Sequence, residues 1–279
     1  MKNDASNSAC LVCNKHPTIR AHLLPESFVR EIFHKPKADE KHMIFHPETG
    51  VKQQSNTGRF ERGILCAECD GVLGRYEDSA FRLIKRLRSV SIGRKIGTQS
   101  IINEGIYPFR VAVIDEFVRF ACGILWKYSS TAASEPFHIE IGECRALFEN
   151  ICWHGASIPE GVDVFIERDL FSFAAFTDPS EVYYYCSPSI GRRGHRTAHN
   201  LAWFSVGGFT IYVKLNQPGL SDFAPRRCWM RGRKACYFNV AMRSLAVNRS
   251  MHESIGMTRD DLARLNKDIH TKYRSGQLP

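Results

Sequence analysis

The chain has 279 residues, 43% of them hydrophobic, which is enough to bury a sizeable core and excludes a disordered protein. Lys and Arg outnumber Asp and Glu by 38 to 29, for a net charge of +9 and a pI near 9.1, a balance that favours polyanionic partners. No run approaches the roughly eighteen consecutive apolar residues of a membrane span, the start MKNDASNSAC lacks a signal peptide's apolar stretch, and the expected location is the cytoplasm.

In that reducing compartment ten cysteines are not expected to form a disulfide framework. Cys10 and Cys13 form one Cys-x-x-Cys pair and Cys66 and Cys69 a second. Two intervening residues let a tight turn, or the first turn of a helix, aim both sulfurs at one point, so the four thiolates suit one tetrahedral Zn2+. A thioredoxin-like redox site would have one such pair in a βαβ setting. Between the pairs, Thr18 to Leu24 reads as a strand ended by Pro25, ESFVREIF as a short helix, and MIFHPETGVKQQ as a hairpin around Thr49-Gly50. After Cys69, Val72, Leu73, Tyr76, Ala80, Leu83, Ile84 and Leu87 recur at three- and four-residue steps, which predicts a long amphipathic helix starting at the second pair. A knuckle, a β element and a ligand-bearing helix, in that order, describe a treble clef. The helix continues into KRLRSVSIGRK, with five cations and no acid, where Lys85, Arg86 and Arg88 are candidate phosphate contacts.

The rest of the chain reads as a second, larger domain, giving an α+β protein divided into residues 1–95 and 96–279. IDEFVRFACGILWKYSS and GECRALFENICW have helical periodicity, and Cys122 and Cys144 on them are expected to pack as small hydrophobes, as is Cys186. From residue 162, VDVFIE, LFSFAAF, EVYYYCS, LAWFSV and FTIYVKL are short β-branched and aromatic runs, and VGG is a tight connection between the last two. They predict an antiparallel meander. GRRGHRTAH is a basic loop between strands. PRRCWMRGRK sets Trp229 among five cations, and Arg226, Arg227, Trp229, Arg231 and Arg233 are candidate nucleic-acid contacts, the ring for stacking on a base and the cations for phosphates. MTRDDLARLNKDIHTKY begins with Thr258 and Asp261 at capping-box spacing and predicts a last helix.

The stretches CLVC (10–13), AHLLP (21–25) and LCAECDGVLGRYE (65–77) together resemble the zinc-containing HNH endonucleases, and among them a bacterial subgroup with a similar His-containing stretch before a proline. The likeness covers roughly the first 85 residues, with a weaker one in FVRFACGILWKYSS and LAWFSVGGFTIYVKL. It implies metal-dependent hydrolysis of DNA phosphodiester bonds, with His22 as the general base and a divalent ion, Mg2+ or Mn2+, beside the structural zinc. The resemblance makes Asp70, directly after Cys69 where the family often has Asn or His, a candidate ion ligand on the helix, and leaves the mid-motif ligand open between Asn56, His42 and His46. A further departure lies before His22, where Ala21 has no ligand atom. That departure favours the alternative of a non-catalytic, zinc-stabilised nucleic-acid-binding or regulatory protein on the same scaffold. His22 as a strand-end histidine supporting the knuckle, Asp70 as a residue favouring the helix N-terminus, and Glu77 paired along the helix are the corresponding structural roles.

Overall fold

A computed structural model describes residues 8–32, 42–45, 52–55, 58–88, 94–96, 99–101, 105–110, 114–169, 186–192, 200–216, 226–233 and 236–241, with isolated positions 264, 267, 271 and 275. The fold is mixed helix and sheet. In the N-terminal part a two-residue strand β1 (Ala21–His22) pairs antiparallel with β4 (Phe60–Glu61), between them lie helix α1 (Glu26–Ile32) and a hairpin of β2 (His42–Phe45) and β3 (Lys52–Ser55), and helix α2 (Ala67–Arg88) follows. The expected strand over 18–24 is regular only at its centre. Its flanks continue the pairing less regularly, with the Ile19 N–H donating to the Leu65 carbonyl at 2.8 Å and the Leu23 N–H to the Arg59 carbonyl at 2.9 Å.

The long helix follows its periodicity: α2 buries Cys69, Leu73, Ala80, Leu83, Ile84 and Leu87. These meet α3 (Ile114–Ser129) and α4 (Cys144–Trp153), both placed where the sequence predicts helices. Helix α3 is buried nearly all round, consistent with a central position between α2 and the sheet. Cys122, Cys144 and Cys152 are buried between α3 and α4, and burial pushes the Cys152 thiol up to about 12, the behaviour of packing residues.

Hairpin β5 (Arg94–Ile96) and β6 (Gln99–Ile101) precedes the main sheet, in which β7 (Gly105–Phe109), β8 (Val164–Asp169), β9 (Cys186–Arg192), β10 (Asn200–Val206), β11 (Phe209–Lys214) and β12 (Cys236–Ala241) take the order β7-β12-β8-β11-β10-β9. This corrects the simple meander. Strands β9, β10 and β11 form one, but β8 lies on the far side of β11 and β12 runs parallel to β8. Strands β7 and β12 carry short apolar runs whose pairing depends on distant partners, and Pro108 on β7 is tolerated because β7 is an edge. EVYYYCS is described only at its end, where β9 begins; LFSFAAF and residues 193–199 of the basic loop lie outside the described residues. Of the last expected helix, Arg264, Lys267 and Thr271 are helical and exposed, with the Thr271 hydroxyl donating to the Lys267 carbonyl at 2.8 Å; the rest lies outside the described residues.

The period of two along the strands gives the sheet two different faces. Val164, Ile166, Phe204, Val206, Ile211 and Val213 join the helices in one continuous apolar core that also reaches Cys10, Leu23 and Leu65, so packing runs unbroken across the division drawn at residue 95. The opposite face carries Phe165, Leu201 and Tyr212, covered by Cys228 and Trp229. Register places Tyr212 opposite both Trp203 and Phe165, and the Phe165 and Tyr212 rings stack at 5.5 Å.

The β10–β11 turn is built from Gly207 and Gly208, at φ +59° and +84°, the left-handed pair that a two-residue hairpin needs. It also receives α2: the Arg88 Nε donates to the Gly207 carbonyl at 3.0 Å, and a Cβ at Gly207 would stand 2.7 Å from Ile84 Cγ2. Gly207→Val is expected to lower stability by about 1–3 kcal/mol through backbone strain, and by more through crowding of α2. Gly142→Ala, at φ +54° with open space around it, measures the strain alone. Thermal unfolding that is equally perturbed in both variants would show that α2 does not depend on this turn.

Candidate metal centre

Two backbone devices aim the four cysteines. The first pair lies on a tight loop, in which the Asn14 N–H donates to the Cys10 carbonyl and the Cys10 N–H to the Lys15 carbonyl, both at 2.9 Å, with Asn14 in the left-handed region at φ +58°. The second pair straddles the start of α2, where the Asp70 N–H donates to the Cys66 carbonyl at 3.0 Å. The Leu11 N–H donates to the Ile64 carbonyl at 3.0 Å and so ties the loop to the segment entering the helix.

The result is a cluster in which the ligand atoms of Cys10, Cys13, Cys66 and Cys69 lie within 4.8 Å of one another, with Cys13 and Cys66 sulfurs 3.5 Å apart. A tetrahedral zinc with Zn–S bonds of about 2.3 Å needs sulfurs about 3.8 Å apart, so the donor set fits Zn2+ in number, type and spacing. The electrostatics also call for a cation. Burial raises the Cys10 thiol, but backbone N–H groups of Cys13, Cys66 and Val12 outweigh it and hold it at about 7. Burial and then the neighbouring thiols push Cys69 far above its ordinary range. Four thiols this close cannot all ionise unless a positive ion offsets their repulsion.

His22 stands at the end of β1, opposite Phe60 in the ladder. It is half-buried, and its Nε2 is enclosed with no hydrogen-bond partner. Burial pushes the imidazole below its ordinary value; Glu26 opposes this, Lys127 and Arg20 reinforce it, and Asp70 opposes it again. The ring is therefore neutral at neutral pH, and both carboxylates act on it through space. Asp70 is on the first turn of α2 directly after Cys69, and Ala21 is fully buried. His46 and Asn56, and the side chain of His42 on β2, lie outside the described residues. Among the described residues the four cysteines are the one group of three or more metal-binding side chains that comes together.

Two groups that sequence reasoning missed lock this region to the second half of the chain. Lys127 on α3 is 1% exposed, and its Nζ donates to the His22 carbonyl and to Glu77 Oε1, both at 2.6 Å. Glu77 thus pairs with a distant lysine instead of a cation on its own helix. The signal was a lone cation inside the apolar run CGILWKYSS, on a helix with no polar face to receive it. Trp153 at the end of α4 donates from Nε1 to the Cys69 carbonyl at 2.8 Å and packs edge-on against Trp126 at 4.6 Å.

The candidate nucleic-acid residues separate into two groups. Lys85 and Arg86 are exposed at the end of α2, where Arg86 reaches the Arg110 carbonyl at 3.2 Å, whereas Arg88 is half-buried against the Gly207 turn. Arg226, Trp229, Arg231 and Arg233 come together around a cavity, and exposed Arg227 lies outside it with its guanidinium 5.8 Å from the Tyr237 ring centre. Trp229 is not the free stacking ring expected from its cationic neighbours: it is 4% exposed and packs on Phe165 at 5.9 Å. The outer sheet face offered it more apolar contact than solvent did. Comparison with family models, curated proteins and solved structures finds no match to this chain.

Purified protein is expected to contain about one zinc per chain by elemental analysis. Cys66→Ser should lose the metal and expose the segment around residues 8–32 to proteolysis, because a structural zinc supplies much of a small module's folding free energy. A metal-free, equally protease-resistant protein would contradict the assignment. Lys127→Met leaves Glu77 and the His22 carbonyl without their donor and should cost about 3–5 kcal/mol. Lys127→Met with Glu77→Leu should recover part of that loss; a double variant no more stable than Lys127→Met would mean that the ion pair is not what Lys127 contributes.

Proposed function

We propose that the protein is a metal-dependent endonuclease of the HNH type that hydrolyses DNA phosphodiester bonds, built on a treble-clef zinc module. The observation that carries the reading is His22. Its imidazole has a nitrogen with no partner, is kept neutral by burial, and sits on a short ladder beside the helix that bears Cys69 and Asp70. A neutral imidazole with an unpartnered nitrogen is equipped to take a proton from a water attacking phosphorus once substrate binding admits that water to the enclosed Nε2. Lys127 holds the carbonyl of the same residue and so restrains where the ring can point. Arg20, whose guanidinium lies 3.3 Å over the Phe60 ring, and the cations ending α2 supply positive charge for a phosphate backbone.

Asp70, on the first turn of α2 and close enough to act electrostatically on His22, is the carboxylate assigned here to hold magnesium or manganese. When bound, such an ion stabilises charge developing on the reacting phosphate and leaving oxygen. A second reading, nucleic-acid binding without cleavage, is favoured by Ala21, which is apolar and fully buried where the resemblance implies an ion ligand.

The experiment is plasmid cleavage with added Mg2+ or Mn2+. His22→Ala is expected to reduce cleavage by roughly a hundredfold or more, with zinc content and DNA binding retained. Asp70→Ala should do likewise, with partial recovery at higher ion concentration. Because the base must be neutral and burial depresses its pKa, wild-type kcat/KM should hold on going down through the ordinary histidine value of 6.5 and fall only below it. Cleavage undiminished in His22→Ala would sink the mechanism, and DNA binding by a wild type inert under every ion would favour the second reading.

A further inference from the structure

On the sheet face turned away from α3, the segment 226–233 folds back over β8 and β11 and leaves a cavity of about 240 Å³. Four cations line it: Lys214 from the end of β11, and Arg226, Arg231 and Arg233 from the covering segment. Asp163, just before β8, also lines it, its Oδ1 accepting the N–H groups of Val164 at 2.7 Å and Arg231 at 2.8 Å and its charge acting on Lys214, while burial holds its carboxyl above the usual range. Glu160 is exposed on the rim. Two backbone bonds hold the walls, from the Met230 N–H to the Val164 carbonyl at 3.0 Å and from the Lys214 N–H to the Asp163 carbonyl at 2.9 Å. Lys214 Nζ lies 5.2 Å from the centre of the buried Trp229 ring, and the Trp229 Nε1 is a further donor with no partner.

We propose that this cavity is a binding site for a phosphate monoester, separate from the metal centre and independent of the nuclease reading. Arg226, Arg231 and Arg233, the last with one Nη on the Arg226 carbonyl at 2.7 Å, and Lys214 bring four positive charges to one small volume, which suits a compact dianion with three terminal oxygens. At 240 Å³ the space is smaller than most drug-sized pockets and admits a terminal phosphate with the adjoining sugar. A phosphodiester inside a continuous strand carries one charge and no free end, so it fits a half-enclosed cationic cavity less well than a terminal phosphate does. Two sources share this chemistry: the 5′-phosphorylated end of a nucleic acid and a free mononucleotide.

Calorimetric titration of the full chain with thymidine 5′-monophosphate, with thymidine as its phosphate-free partner, tests the site. The monophosphate is expected to bind and thymidine not. Arg231→Gln should weaken binding by about tenfold or more, the usual effect of losing a hydrogen bond to a charged group, with an unchanged circular dichroism spectrum. Glu160→Gln, which removes an exposed like charge from the rim, should tighten it, a gain that damage to folding cannot produce. Arg145→Gln removes the same charge from an exposed position on α4 and should leave binding as it was. Oligodeoxynucleotides with and without a 5′-phosphate then separate the sources: a phosphate-dependent gain that the mononucleotide competes away assigns the nucleic-acid end, and no gain assigns the free nucleotide. The absence of monophosphate binding up to about 1 mM, or equal loss in Arg231→Gln and Arg145→Gln, would overturn the proposal.

Discussion

Four thiols converge on one small volume, and the N-terminal part of the protein is arranged around that convergence. Among the described residues, the segment from the first knuckle to α2 contains two-residue strands, a hairpin of four-residue strands and a short helix, little regular structure to hold a shape through local bonds. A cation bound by all four sulfurs would fix the loop 10–15 against the first turn of α2, and through α2 would orient what packs on that helix. The repulsion that would separate ionised thiolates becomes cohesion once a Zn2+ lies among them.

From this point the coupling runs through a few polar contacts embedded in apolar packing. Trp153 anchors α4 to the carbonyl of a ligand cysteine, Tyr76 on α2 reaches the Cys152 carbonyl at 3.4 Å, and Lys127 joins α3 to both α2 and β1. Each donor is fixed on a helix and reaches an acceptor on another element, so each contact favours one docking geometry. The surroundings of His22 are consequently made by both halves of the chain, and β1 alone would not hold its carbonyl in place.

The sheet separates two chemistries. Its inner face continues the helical core, whereas its outer face, covered by residues 226–233, combines an aromatic row with clustered positive charge. Clustered guanidinium groups repel one another, and here the backbone pays for their proximity through the Asp163 contacts that hold the covering segment down. Residues that look like a linear basic motif in the sequence thus become the walls of a cavity, joined by Lys214 from a strand that no local pattern links to them.

The sequence by itself determined the features that follow from short-range spacing. Two Cys-x-x-Cys pairs, the periodicity of α2, α3 and α4, and the hairpin of β10 and β11 around Gly207 and Gly208 are set by local geometry and are readable within about twenty residues. The mixed order of the sheet was not, because β7 and β12 are short runs whose identity as strands comes from pairing with each other and with β8. The roles of Lys127, Glu77, Trp153 and Trp229 were not either: their partners lie about 50 or more residues away, and no local pattern encodes which distant carbonyl or ring a side chain will meet. His22 lies between these cases. Its place before Leu23, Leu24 and Pro25 is written in the chain, but the enclosed, unpartnered Nε2, the neutral ring and the lysine that holds its backbone exist only once α3 has packed beside β1 and removed them from water.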